Sequence, residues 1–290
     1  MISKSTLLHL RFPFSFFLMP VFGFALVVAS KIEIWRFLLI FFIWHILVYP
    51  ASNGFNSYFD KDEESIGGLE KPPPVSKELY FASLLLDIIA LLFSLLINIY
   101  FFIGILIYGL ASKSYSHPII RLKKYAFWGL LTVGFFQGAF TLWISAVGLC
   151  DDINVFWDKK VIFAGVLSSA LLLGSYPMTQ IYQHNEDLKR GDKTISILLG
   201  IRGTFLFTLL IFGVVGGGYF LFFWTYFNFY IANFFMLSLL PSVLFFLYWF
   251  YNSWQDEKNA NFKNTMQLNL FSALGMNIFF YGISFFRDNI

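Results

Sequence analysis

Long apolar runs alternate with short polar breaks along this chain. Cutting at charged or Pro/Gly-rich breaks leaves apolar segments near residues 10–30, 34–58, 79–96, 98–113, 125–148, 160–183, 203–224, 229–250 and 265–286. A helix needs roughly 20 residues to cross a hydrocarbon layer of about 30 Å. The pattern therefore predicts an all-α protein, a polytopic membrane bundle of nine transmembrane helices. Residues 79–112 are nearly one stretch, interrupted around "INIY" at 97–100, and a single span there would leave eight. The first run lacks an A-x-A cleavage site and continues through Pro13 and Pro20, as a retained helix does and a signal peptide does not. No spacer is long enough for a separate soluble unit, so residues 1–290 are expected to form one domain.

Composition fits that picture and removes several function classes. Hydrophobic residues make up 58% of the chain, with 40 phenylalanines, and only 13% is charged. The formal net charge of +3 comes from basic loops of the kind that the positive-inside rule places, so nucleic-acid binding drops out. With the N-terminus inside, fifteen of the 20 Lys and Arg fall on the cytoplasmic side. Lys31, Arg36, Lys159, Lys160 and Arg287 remain on the other. This asymmetry predicts a multi-pass protein of the cell (inner) membrane with its N-terminus cytoplasmic. Trp35, Trp157, Trp224 and Trp254 lie near predicted helix ends, where indoles favour the membrane interface. The single cysteine, Cys150, permits neither an internal disulfide nor a cysteine metal cluster.

Two predicted cytoplasmic loops, 59–78 and 184–202, combine acidic, basic and glycine residues. The stretch "NGFNSYFDKDEES" at 53–65 ends the second apolar segment. If the helix persists, Asn56, Asp60 and Glu64 stack four apart on one face, whereas Asp62 points away. An oxygen-rich ladder suits a hard cation such as Mg²⁺, which is commonly completed by substrate phosphates; a solvated helix end explains the same charges. The second cluster, "QIYQHNEDLKRGDKTISILLG" at 180–200, sets Gln183 and Asp187 at i, i+4 on another helix end, followed by Gly191 and Thr194. If both ends face one cavity, carboxylates at 4 Å repel by about 4 kcal/mol at an effective dielectric near 20. A divalent ion removes that penalty, and a diphosphate is its natural third partner. The third loop, "SKSYSHPIIRLKKY" at 112–125, offers Tyr115, Arg121 and Lys123 to phosphate oxygens, although such a run also serves as a topology anchor. Lys71 precedes "PPP" at 72–74, where it either joins the site or flanks a rigid turn.

These residues, in this order, resemble the UbiA superfamily of intramembrane prenyltransferases. That family's N-x-x-x-D-x-x-x-D motif is matched by Asn56, Asp60 and Glu64, and its D-x-x-x-D-x-x-x-G-x-x-T motif by Gln183, Asp187, Gly191 and Thr194. Its intervening basic segment resembles "YSHPIIRLKK", and its opening helix "LRFPFSFFLMP". The chain departs from the pattern at Ser57, Glu64 and Gln183; the last removes a charge and leaves the number of metal ions open. The resemblance implies nine helices around a central cavity and an Mg²⁺-dependent transfer of an isoprenoid from a prenyl diphosphate to a lipophilic or aromatic acceptor. It further implies metal roles for Asn56, Asp60, Glu64, Gln183 and Asp187, with Asp60 and Asp187 as the catalytic pair. Diphosphate contacts would come from Lys123, Arg121, Tyr115, Lys71 and Arg11, and membrane lipid would surround the whole. A membrane terpene cyclase of the same superfamily is the second enzyme reading, and an ion-coupled transporter the third. Asp87, deep in a span, either pairs inside the bundle or marks a short third helix.

Overall fold

The computed structural model describes residues 3–286, so Arg287 lies outside the described residues. It is helical throughout, with no named strand among them. Ten helical stretches follow one another: α1 Lys4–Val28, α2 Ile34–Asp60, α3 Lys77–Ser94, α4 Ile99–Ser116, α5 Ala126–Cys150 and α6 Lys159–Thr179, then the short α7 His184–Arg190, and finally α8 Ile195–Tyr226, α9 Phe229–Gln255 and α10 Phe262–Phe286. Eight are long and apolar enough to cross a membrane. The exception among the nine expected spans is α3, in which Lys77, Glu78 and Asp87 interrupt the apolar run. The stretch 79–112 is nevertheless two helices, because Asn98 is extended and its side chain accepts from Phe101 N to cap α4. Asp87 pairs with Lys113 of α4 at 2.5 Å, and that ammonium also lies over the Phe55 ring. The acid expected deep in a span is thus neutralised inside the bundle.

Several spans are broken rather than straight. In α1, Arg11 adopts a left-handed conformation (φ 49°), and a 3₁₀ segment, Phe12–Leu18, leads into Met19–Val28 with Pro20 in its first turn, where a missing N–H costs no hydrogen bond. In α2, a π segment at Ile43–Val48 sits just before Pro50, which cannot donate to the ladder. A second π segment, Gly134–Phe140, widens α5 against α6. There Gly138 approaches so closely that a Cβ would fall 2.6 Å from the Ser169 Cα, and Ser169 Oγ accepts the Ala139 amide at 2.9 Å. The expected helix 160–183 instead yields at Ser175 to a 3₁₀ turn, Tyr176–Thr179, started by Pro177, and α7 follows as a separate helix. The expected loop 184–202 is therefore mostly helical, with α8 bent at Gly200 (φ 67°, ψ 173°), a conformation open to glycine.

At the end opposite the acidic loops, Phe24, Tyr219, Phe223, Phe235 and Phe280 interlock in a buried cluster with centroids 4.9 to 6.4 Å apart. There Arg36, buried, donates to Ile97 O, Gly148 O and Asp151 Oδ2, fastening α2 to the α3–α4 turn and to the end of α5.

Candidate active site

A cavity of about 270 Å³ opens where the three loops meet. It reaches inward along α2 from Asp60 to Tyr49, a helical length of about 16 Å. Its inner wall is largely aromatic, with Phe14, Phe17, Tyr49, Tyr108 and Phe136; Gln137 lies among them. Its mouth is charged. Asn53, Asn56, Asp60 and Asp62 come from the end of α2, Lys123 from the basic loop, and Gln183, Asp187, Arg190 and Asp192 from α7 and its flanks.

Helix α2 stops at Asp60 because Lys61 turns left-handed (φ 52°). That turn overrides the helical extrapolation in two ways. Asp62, which a continued helix would point away, is buried in the cavity wall, and Glu64 swings out, its side chain 43% exposed, toward Lys189 at 3.5 Å. Gln183 is the N-cap residue of α7 rather than the end of a long helix, and its Nε2 donates to Ser65 O at 3.3 Å. Asn56 Nδ2 donates to Ser116 Oγ at 2.9 Å, which leaves its carbonyl oxygen toward other partners. Lys71 is exposed and lies outside the cavity wall. Tyr115 lines the cavity with its hydroxyl against that of Tyr176. Arg11 reaches in beneath the loops, donating to Gly67 O and Asn53 O at 3.2 Å each. His184, half-buried, bonds Ser196 Oγ at 2.8 Å, and burial holds its pKa below the usual imidazole value.

Cations alternate with carboxylates around the mouth. Lys123 pairs with Asp60, whose other oxygen lies 3.4 Å from Arg121 Nη2. Arg121 grips Asp192 with two parallel bonds, Nε to Oδ1 at 3.0 Å and Nη2 to Oδ2 at 2.8 Å. Such bidentate pairs fix orientation as well as charge. Arg190 pairs with Asp62 through Nη1 and donates to Asp187 Oδ1 at 2.9 Å through Nη2. Burial pushes the Asp187 carboxyl up to about 6 even though Arg190 favours its ionised form. Burial and the neighbouring Asp60 charge likewise raise Asp62. Main chain joins the loops as well, since Lys193 N donates to Lys124 O at 3.0 Å.

Sequence reasoning passed over Arg190, Asp192, Tyr176 and Tyr182, all of which line the cavity. One signal was available. Asp187 and Arg190 are three apart on a helix, the spacing that brings opposite charges together. For Asp192 the cue lay in Gly191, whose left-handed conformation (φ 74°) ends α7 and lets Asp192 N bond back to Asp187 O.

The ligand-capable atoms converging here are oxygens, the donor set of a hard cation such as Mg²⁺. Among the described residues no three His, Cys or acidic side chains gather closely enough to hold an ion as they stand. Lys123, Arg121 and Arg190 occupy the spaces between the carboxylates. At Asp60 the Oδ1 is buried without a hydrogen bond, with Arg121 Nη2 at 3.4 Å, and the Asn56 side-chain carbonyl oxygen is uncommitted. Chemistry and burial therefore fit an ion on the Asp60 side of the mouth.

Comparison with known proteins agrees with this architecture. The profile of the UbiA prenyltransferase family matches residues 17–272. No curated protein matches in sequence. Among solved structures, a UbiA homolog from Archaeoglobus fulgidus bound to GPP and Mg²⁺ is 16% identical with a TM-score of 0.68, covering 97% of this chain and 99% of that one. The apo structure of a UbiA homolog from Aeropyrum pernix K1 is 17% identical at 0.68, covering 97% and 98%. A structure described for digeranylgeranylglyceryl phosphate synthase is 19% identical at 0.60, covering 99% of each chain.

Proposed function

Starting from the fact that this chain belongs to the UbiA prenyltransferase family and is a multi-pass membrane protein, we propose that it transfers an isoprenoid chain from a prenyl diphosphate to a lipophilic or aromatic acceptor, with release of diphosphate. The observation that carries the reading is the joining of a charged mouth to an aromatic inner chamber in one cavity. The two parts match the two halves of an amphiphilic donor. The related A. fulgidus protein, bound to GPP and Mg²⁺ in one structure and to DMAPP and Mg²⁺ in another, supports both the donor class and the ion.

In this reading Asn56 and Asp60 hold Mg²⁺, with Asp187 and Asp62 beside them in their pairs with Arg190, while Glu64 and Gln183 act from the rim. A bound Mg²⁺ would neutralise charge on the diphosphate and favour its departure. Lys123, Arg121 and Arg11 donate to the phosphate oxygens, and the Tyr115–Tyr176 hydroxyl pair borders the leaving group. Lys71 contributes at most long-range positive charge. Phe14, Phe17 and Phe136 exclude water from the allylic carbon and offer ring faces to the positive charge that develops when its C–O bond ionises. The chain acts as one domain across residues 1–290, in a cell membrane, with its mouth and N-terminus on the cytoplasmic side, as the Lys/Arg asymmetry suggests.

The test is purified protein supplied with Mg²⁺ and a short prenyl diphosphate, with diphosphate release and lipid products followed by mass spectrometry. Release that requires an added acceptor is the expected result. Hydrocarbon or alcohol formed without an acceptor would instead identify a cyclase, and no release with any donor would sink both.

A further inference from the structure

Arg190 has no counterpart in the motif positions that first marked the site, yet it is the most heavily shared cation there. Its Nη1 pairs with Asp62 and its Nη2 with Asp187, joining the two acidic segments. Glu186 and Asp192 approach it at 3.7 and 3.6 Å. Its side chain, which lines the cavity, is only 18% exposed, and its Nε, buried without a hydrogen bond, is the atom that approaches Asp192 Oδ2.

The second acidic segment has little charge left over. Gln183 stands where a carboxylate would extend the ladder, Asp192 is engaged by both parallel donors of Arg121, and Glu186 is held by Lys189 at 3.0 Å. Of α7's carboxylates, among the described residues, Asp187 alone lines the cavity, and it is already paired. An ion entering between Asp62 and Asp187 would have to expel a buried guanidinium from its carboxylates, leaving a charge stripped of partners. Asp60 differs in degree: Lys123 pairs with its Oδ2, while its Oδ1 makes no hydrogen bond and has Arg121 Nη2 only at 3.4 Å, so an ion there displaces no hydrogen-bonded guanidinium.

We propose that Arg190 is a resident cation of the site: it occupies the position between Asp62 and Asp187, so the mouth takes one divalent ion, on the Asp60 side, instead of one for each acidic segment. This inference rests on the magnesium-dependent reading above.

Mn²⁺ binding to the full-length protein in detergent micelles, measured by electron paramagnetic resonance with inorganic pyrophosphate present, tests it without turnover. The expected stoichiometry is one Mn²⁺ per chain for the wild type and two for Arg190→Gln, in which Asp62 and Asp187 lose their shared counter-charge. The double variant Asp62→Asn/Arg190→Gln removes the pair together and should return to one. Two ions in the wild type overturn the proposal while leaving the magnesium reading intact, and this arm decides even where Arg190→Gln does not purify as folded protein. One ion in a folded Arg190→Gln variant also overturns it. No Mn²⁺ bound in any form overturns both readings.

Discussion

The broken helices and the continuous ones divide the labour of this bundle. Helices α1, α2, α5 and α6 are interrupted by 3₁₀ or π segments, and they or the loops beside them supply most of the cavity wall. Helices α8 and α9 run for 32 and 27 residues, bent only at Gly200 and carrying Pro241, and among the described residues neither lines the cavity. Helix α10 contributes Asn269. Many side chains enter the cavity beside a relaxed or reversed stretch of backbone, although the unbroken α4 also contributes Tyr108, Ser112, Tyr115 and Ser116. The left-handed residues Arg11, Lys61, Arg121 and Gly191 all stand beside the mouth. Each ends a helix or turn and redirects the next side chains inward. An unbroken helix facing lipid cannot do this without exposing polar backbone to hydrocarbon.

The contrast can be broken most sharply at the mouth. Asp60→Ala and Asp187→Ala should each lower Mg²⁺-dependent diphosphate release by about a hundredfold or more, on the scale of losing one charge-stabilising group. Unchanged rates in both would mean that the broken helices are not where chemistry occurs. Lys123→Met should cost about tenfold to a hundredfold in kcat/KM, and Lys123→Arg less, because the cation survives. Helix packing should respond in stability instead. A Cβ at Gly275 of α10 would lie 2.2 Å from Ser238 O of α9, so Gly275→Val should destabilise by about 1–3 kcal/mol while Mn²⁺ stoichiometry in the folded fraction stays unchanged. At the lipid surface, Val214 of α8 is 77% exposed, and Val214→Ala should shift stability by less than about 0.5 kcal/mol in a thermal scan.

Apolar run length made most of the architecture readable, down to the division of 79–112 by Asn98. Local backbone reversals were less readable. The four-residue ladder placed Asn56 and Asp60 together because α2 persists that far, and it misplaced Asp62 and Glu64 because Lys61, a residue without glycine's freedom, turns left-handed under tertiary constraint. The same reasoning ran α6 through to residue 183 on hydropathy alone, although Pro177 marked the 3₁₀ break. Arg190 was passed over because a basic residue in a loop reads first as a topology anchor. The approach of Asp62 from 128 positions away, together with the i, i+3 spacing from Asp187, reveals its other task.

The bond from Lys193 N to Lys124 O joins two loops rich in lysine, whose side chains repel one another. Ion pairs between exposed loops weaken as added salt shortens the reach of their attraction. A peptide hydrogen bond carries no net charge and is largely indifferent to that screening. The basic loop and the second acidic segment should therefore keep their register in brine strong enough to slacken Lys189 and Glu64 at the rim.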